Sequence, residues 1–164
     1  EISPDGRWVF FEQVDSGVTK LWKIPIEGGT PVRVTNSLAL RPNISSDGKS
    51  IAYWYRGQTP NAPWQIAMMP LDNSSDVKLL DVPQSAANGL SALQISPEGK
   101  SVLFIDYRNG VSHLMSQPLD GGPTQHLTSF PKELFYSFDL SPDGRLIVSR
   151  GIRNTDAVLI SENR

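Results

Sequence analysis

The sequence predicts an all-β protein: a β-propeller of about four four-stranded antiparallel blades, the last lacking its outer strand. Three observations predict it. A Ser-x-Asp/Glu-Gly motif occurs at 3–6, 45–48, 96–99 and 141–144, and its glycines Gly6, Gly48, Gly99 and Gly144 are spaced by 42, 51 and 45 residues. Each copy precedes a short apolar run, "RWVFF", "SIAYW", "SVLFI" or "RLIVS", with the β-branched and aromatic content of a buried strand. A second motif follows in the first three units, "LWKIPIEGG", "IAMMPLDNS" and "HLMSQPLDGG". Four-stranded units repeating every 40–50 residues or so are the signature of a propeller.

The repeats divide the chain into 1–40, 41–90, 91–133 and an incomplete 134–164. In each unit strand a ends at the Ser-x-Asp-Gly turn, and strand b is the apolar run. Strand c ends at Pro25, Pro70 or Pro118, and strand d ends in Val34-Thr35, Leu79-Leu80 or Leu127-Thr128. Ser-Pro-Asp-Gly has the preferences of a type I turn: Ser at the first position, Pro fixing φ at the second, Gly at the fourth. A calcium loop would need several oxygen ligands at alternating positions, and each of these turns offers a single acid. Glu27, Asp72 and Asp120 beside the second turn read the same way, and Asn73-Ser74 replaces the glycine pair in the second unit. The fourth unit supplies strand a at about 137–140, b at 145–149 and c at about 156–160, with no strand d. On this count the chain is expected to be the C-terminal part of a larger propeller; the alternative is two arcs pairing into a ring. An open blade face and sheet edge would favour self-association in either case.

Composition narrows the function classes. The chain has 164 residues, 38% of them hydrophobic, with 13 Gly and 13 Pro spread along it and a net charge of −2. Nothing in that balance signals nucleic-acid binding, and no apolar run approaches a membrane span. Absence of cysteine removes disulfides, thiolate zinc sites and cysteine nucleophiles. Neither a Gly-x-Ser-x-Gly elbow nor a phosphate-binding glycine loop occurs. The two histidines are His113 and His126. Folding the hairpin about 119–124 sets His126 opposite Gln117 and the two rings on the order of 13 Å apart, too far to share a metal. No catalytic residue, metal site or cofactor is therefore expected.

The repeated Ser-Pro-Asp-Gly and Leu-Asp-Gly-Gly turns resemble those of TolB-type, WD-repeat-like propeller repeats, over nearly the whole chain. The end, "SPDGRLIVSRGIRNTDAVLISENR", resembles the last blade of bacterial multidomain signalling proteins. In those a propeller follows a Ser/Thr kinase or a winged-helix transcription-regulator domain. That resemblance implies a non-catalytic interaction or sensing module, extracytoplasmic or periplasmic if the attached domain is a membrane-spanning kinase. The alternative is the propeller of a serine hydrolase or peptidase whose catalytic domain is not in this chain.

The alternation of turns sorts the loops onto two faces of the ring. The tight turns share one face. The irregular connections, 12–18, 36–42, 56–64, 81–91, 107–111, 129–136 and 150–155, share the other, and variable loops on a rigid scaffold carry recognition. That face gathers Arg41, Arg56, Arg108, Arg150 and Arg153 with Trp64, Tyr55, Tyr107, Phe135 and Tyr136. Arginine and aromatics are enriched at binding hot spots, so this face or the central channel is expected to take a protein, a peptide or a small anionic ligand. The competing reading is that the arginines solvate loops and the aromatics fill gaps between blades. The loop "QTPNAPW", 58–64, is the one that extends beyond the needs of the repeat.

Overall fold

The two middle blades bury an apolar face on each side, and that decides the architecture. The computed structural model describes residues 1–59, 61–72, 76–130, 132–141 and 143–152. The first sheet runs β1 (Trp8–Asp15), β2 (Val18–Pro25), β3 (Val32–Arg33). A single bridge, Ile2 to Val9, stands in for its inner strand. The second is a complete four-stranded meander of β4 (Leu38–Ile44), β5 (Ser50–Arg56), β6 (Trp64–Pro70) and β7 (Lys78–Asp81). The third repeats it with β8 (Gln94–Ile95), β9 (Ser101–Arg108), β10 (Val111–Pro118) and β11 (Gln125–His126). The fourth holds β12 (Leu134–Leu140) and β13 (Leu146–Gly151). The strand c expected near 156–160 and the Asn73-Ser74 turn lie outside the described residues. Among the described residues the helical content is one 3₁₀ turn, Gln84–Asn88, in the link from the second blade to the third. The chain is a partial β-propeller.

The core lies in the seams. Phe10 and Leu21 of the first blade pack on Ile51, Tyr53, Ala67 and Met69 of the second. The other face of that second blade, with Trp54, Ile66 and Met68, packs on Val102, Phe104 and Met115 of the third. Leu103, Ile105 and Leu114 then meet Phe135 and Phe138 of the fourth. Consecutive side chains of a strand alternate between faces, so Ile51 and Ala52, each fully buried, serve different seams. Burial also pushes the Tyr53 hydroxyl up to about 12, with Tyr55 nearby adding to the shift.

The four motif turns are built alike. In each the glycine N–H donates to the serine carbonyl at 2.8 Å, and the glycine φ lies between 65° and 80°. That left-handed conformation is costly for any residue with a Cβ. Ser3, Ser45 and Ser141 donate their hydroxyls to Asp5, Asp47 and Asp143. The same oxygen of Asp5 and Asp47 accepts the N–H of Arg7 and Lys49, each at 3.0 Å. These carboxylates are thus bound into their own turns. Neighbouring turns touch: Ser46 donates to the Pro97 carbonyl at 3.4 Å, and a Cβ at Gly48 would sit 3.8 Å from Pro4. The tight turns therefore share one face, as the repeat predicts.

The ends of strand d differ from expectation in an instructive way. β3 and β11 stop before Val34-Thr35 and Leu127-Thr128. Each threonine hydroxyl instead accepts the N–H of strand c, from Leu21 and Leu114, at 3.0 Å. The side chain continues the hydrogen bonding where the backbone leaves the ladder.

Hydrogen bonds from the serines hold Asp5, Asp47 and Asp143 below the usual 3.8. A lowered carboxyl value stabilises the fold above the unfolded value, and that contribution is lost as pH falls through the folded one. Thermal melting is expected to be flat from pH 7 to about 4.5 and to drop on further acidification. Ser45→Ala should lower the neutral-pH midpoint and weaken the acid dependence; an unchanged acid slope in Ser3→Ala and Ser45→Ala would refute the role of the turns.

Candidate functional site

The inner strands line a polar groove. Glu1, Asn43, Gln94 and Asp139 each stand two residues before a motif serine, and together they border a hollow of about 350 Å³. Asn43, buried, accepts the Ile95 N–H on Oδ1 at 2.8 Å and donates from Nδ2 to Gln94 Oε1 at 3.2 Å. Gln94 Nε2 then donates to Asp139 Oδ1 at 3.1 Å. The second, third and fourth blades are thereby joined by one polar row. Sequence reasoning missed these residues. Their signal was a polar side chain at the same offset from every motif.

An adjoining hollow of about 490 Å³ is lined by Phe10, Glu12, Arg41, Asn43, Leu93 and Gln94, among others. Arg41 also borders a further hollow beside Ala87–Leu90. The β4–β5 register shifts between Leu40 and Asn43, and Arg41 sits in that bulge with φ at 55°. Its N–H donates to Glu12 Oε1 at 2.8 Å. A non-glycine residue in this region is strained and worth a functional question. The bulge turns Arg41 out of the ladder, its side chain exposed, and among the described residues no acid pairs with its guanidinium.

The other residues expected on the binding face have structural partners or lie elsewhere. Arg56 donates to the Ala62 carbonyl at 3.0 Å and lies 5.8 Å from the Trp64 ring centre. The Trp64 backbone is clamped by Gln84, which bonds both its N–H and its carbonyl. Arg108 Nε donates to Ser85 at 2.9 Å and sits 2.7 Å from a carboxylate oxygen of fully buried Asp106. Since Nε carries one hydrogen, the contact with Asp106 is ionic. The Tyr107 hydroxyl donates to the Phe135 carbonyl at 3.0 Å, and burial raises its pKa. Arg150 pairs with Glu133 at 2.9 Å and covers Phe130 at 4.3 Å. Phe135 has no exposed surface; it fills the seam to the third blade and is not available on a face. Tyr136 is exposed and occupies a register irregularity in β12. Arg153 lies outside the described residues.

The histidine separation expected from the sequence is corrected. His126 pairs opposite Met115, not Gln117, and the two rings lie 5.4 Å apart, edge to face. The loop is wider than a tight hairpin because Gln117 turns into it, bonding the Gly122 carbonyl at 2.9 Å and accepting the Thr124 hydroxyl. Pairing therefore starts later, and His126 falls diagonal to His113 on one face. Among the described residues no three His, Asp or Glu side chains converge as a metal set.

No family model matches the chain. An uncharacterized protein of Agrobacterium fabrum is 23% identical over 114 residues, 65% of this chain and 39% of that protein. A structure assigned as TolB from Agrobacterium tumefaciens superposes with TM-score 0.72 at 24% identity, over 90% of this chain and 51% of that one. A prolyl endopeptidase structure superposes with TM-score 0.65 at 16% identity, over 92% of this chain and 24% of that one. The chain thus spans about half, or less, of the proteins it resembles. In fold it is a partial β-propeller. The comparisons at these identities establish the fold.

Asn43→Ala should cost about 1–3 kcal/mol, because it leaves the buried Ile95 N–H without an acceptor. Denaturant unfolding checks this; a change under ~0.5 kcal/mol would show that water replaces the amide.

Proposed function

We infer that this chain is a non-catalytic interaction module that receives a protein or peptide segment in the inner-strand groove. Arg41 takes an acidic group of the partner, and the amide row at Asn43 and Gln94 faces its backbone. The observation that carries this reading is Arg41 itself, held out of the ladder by a strained bulge beside a hollow large enough for several side chains. A charge-assisted bond from a pre-positioned guanidinium is among the stronger polar contacts available. Arg56, Arg108 and Arg150 act in this picture as structural cations, as the competing sequence reading has it.

The resemblance to signalling proteins supports a sensing role in which a kinase or regulator domain elsewhere supplies the output. The prolyl endopeptidase likeness keeps a second reading, a propeller that filters access to a catalytic domain. Both use the same groove, so the binding test comes first.

Acidic and lysine-rich peptides of equal length, titrated by fluorescence anisotropy, should separate: saturable binding for the acidic ones alone. Arg41→Glu should weaken it at least ~tenfold. Binding unaffected by Arg41→Glu, or absent for every peptide, would sink the assignment; cleavage of a peptide by the purified chain would overturn the non-catalytic part.

A further inference from the structure

The fourth motif turn closes one residue early. In the first three units the residue before the motif serine pairs with the seventh residue after it: Ile2 with Val9, Ile44 with Ile51, Ile95 with Val102. In the fourth, Leu140 pairs with Leu146, not Ile147. The side-chain bonds agree. Ser3, Ser45 and Ser96 accept the N–H of Trp8, Ser50 and Ser101, five residues on, and Ser96 shares its oxygen with the N–H of Lys100. Ser141 accepts that of Arg145, four residues on.

A slip of one residue sends every side chain to the other face of the sheet. Ile147 holds the repeat position of Ile51 and Val102, which are fully buried, yet it is 70% exposed. Its neighbour Val148 takes the seam instead, packing with Phe138 against Leu103, Ile105 and Leu114. Leu146, Ile147 and Val148 are three apolar residues in a row, so alternation specifies neither face. Strand b of every unit carries such a run, and what sets this hairpin apart is its packing. In the second and third blades a slip would disturb packed seams on both faces; among the described residues the fourth blade packs only against the third.

We propose that the β12–β13 hairpin is a two-register element, in which a one-residue slide exchanges Val148 for Ile147 at the seam and releases Arg150. In the observed register Arg150 is opposite Phe135, paired with Glu133 and lying over Phe130. In the repeat register it stands opposite Ser137, on the other face, with both contacts broken. The slide thereby switches a paired guanidinium to a free one beside the loop face. A ligand that binds the freed cation shifts the equilibrium by its preference for that register and no more.

The chain contains no cysteine, so paired cysteines report the register directly. Directly opposite positions come within disulfide range, while positions one apart point to opposite faces. Leu140→Cys with Leu146→Cys should cross-link in the observed register, and Leu140→Cys with Ile147→Cys in the repeat register, each read by peptide mapping after mild oxidation. Both links are expected. Val148→Ser should raise the 140–147 yield relative to 140–146 by roughly fivefold or more, and Ile147→Ser should lower it similarly. In the unsubstituted chain, backbone nuclear Overhauser contacts from Leu140 to both Leu146 and Ile147 should report the same exchange. A single link in every background, with contacts to one partner alone, would overturn the proposal.

Discussion

The constraint on which the structure depends is that its second and third blades are apolar on both faces. Tyr53 and Trp54 are adjacent in sequence, both buried, and belong to different seams. A sheet of this kind has no solvent-compatible side and is stable only between neighbours. Face-to-face stacking then favours polar groups at the turns on the rims and along the inner strands, with Asp106, Ser112, Ser116 and Gln117 buried on β9 and β10 besides. The Ser-x-Asp-Gly turns occupy one rim, and the polar row from Asn43 to Asp139 occupies the inner strands.

This arrangement separates scaffold from site. The turns satisfy their own donors and acceptors internally and leave little reactivity over. The arginines at the loop face largely do the same, since Arg56, Arg108 and Arg150 each tie a strand end to a loop or a neighbouring side chain. Arg41 is different because a bulge, not a loop, delivers it. A bulge inserts one residue without a ladder partner and re-aims its side chain, here out of the ladder and beside two hollows.

The turns, the four-unit repeat and the strand composition were legible because they are local. A serine, an acid and a glycine within four positions fix a turn whatever surrounds them. The arginines and aromatics of the irregular connections were legible as residue types, yet their pairing with Ala62, Ser85, Asp106 and Glu133 depends on which loops meet. Phe135 lay in a stretch that reads as connection and was drawn into a seam. The histidine distance failed because a side chain, Gln117, widened the hairpin loop and changed the register by two residues.

By itself, then, the sequence determined the fold class and the chemistry of the Ser-x-Asp/Glu-Gly turns, because these follow from periodicity and short-range hydrogen bonding. Tertiary structure alone decided which polar groups line the inner-strand groove, that Arg41 has no acid partner among the described residues, and which register the fourth hairpin adopts. Those outcomes rest on what packs opposite each face. Where three apolar residues stand in a row, as at 146–148, alternation specifies no face, and the neighbouring blade makes the choice.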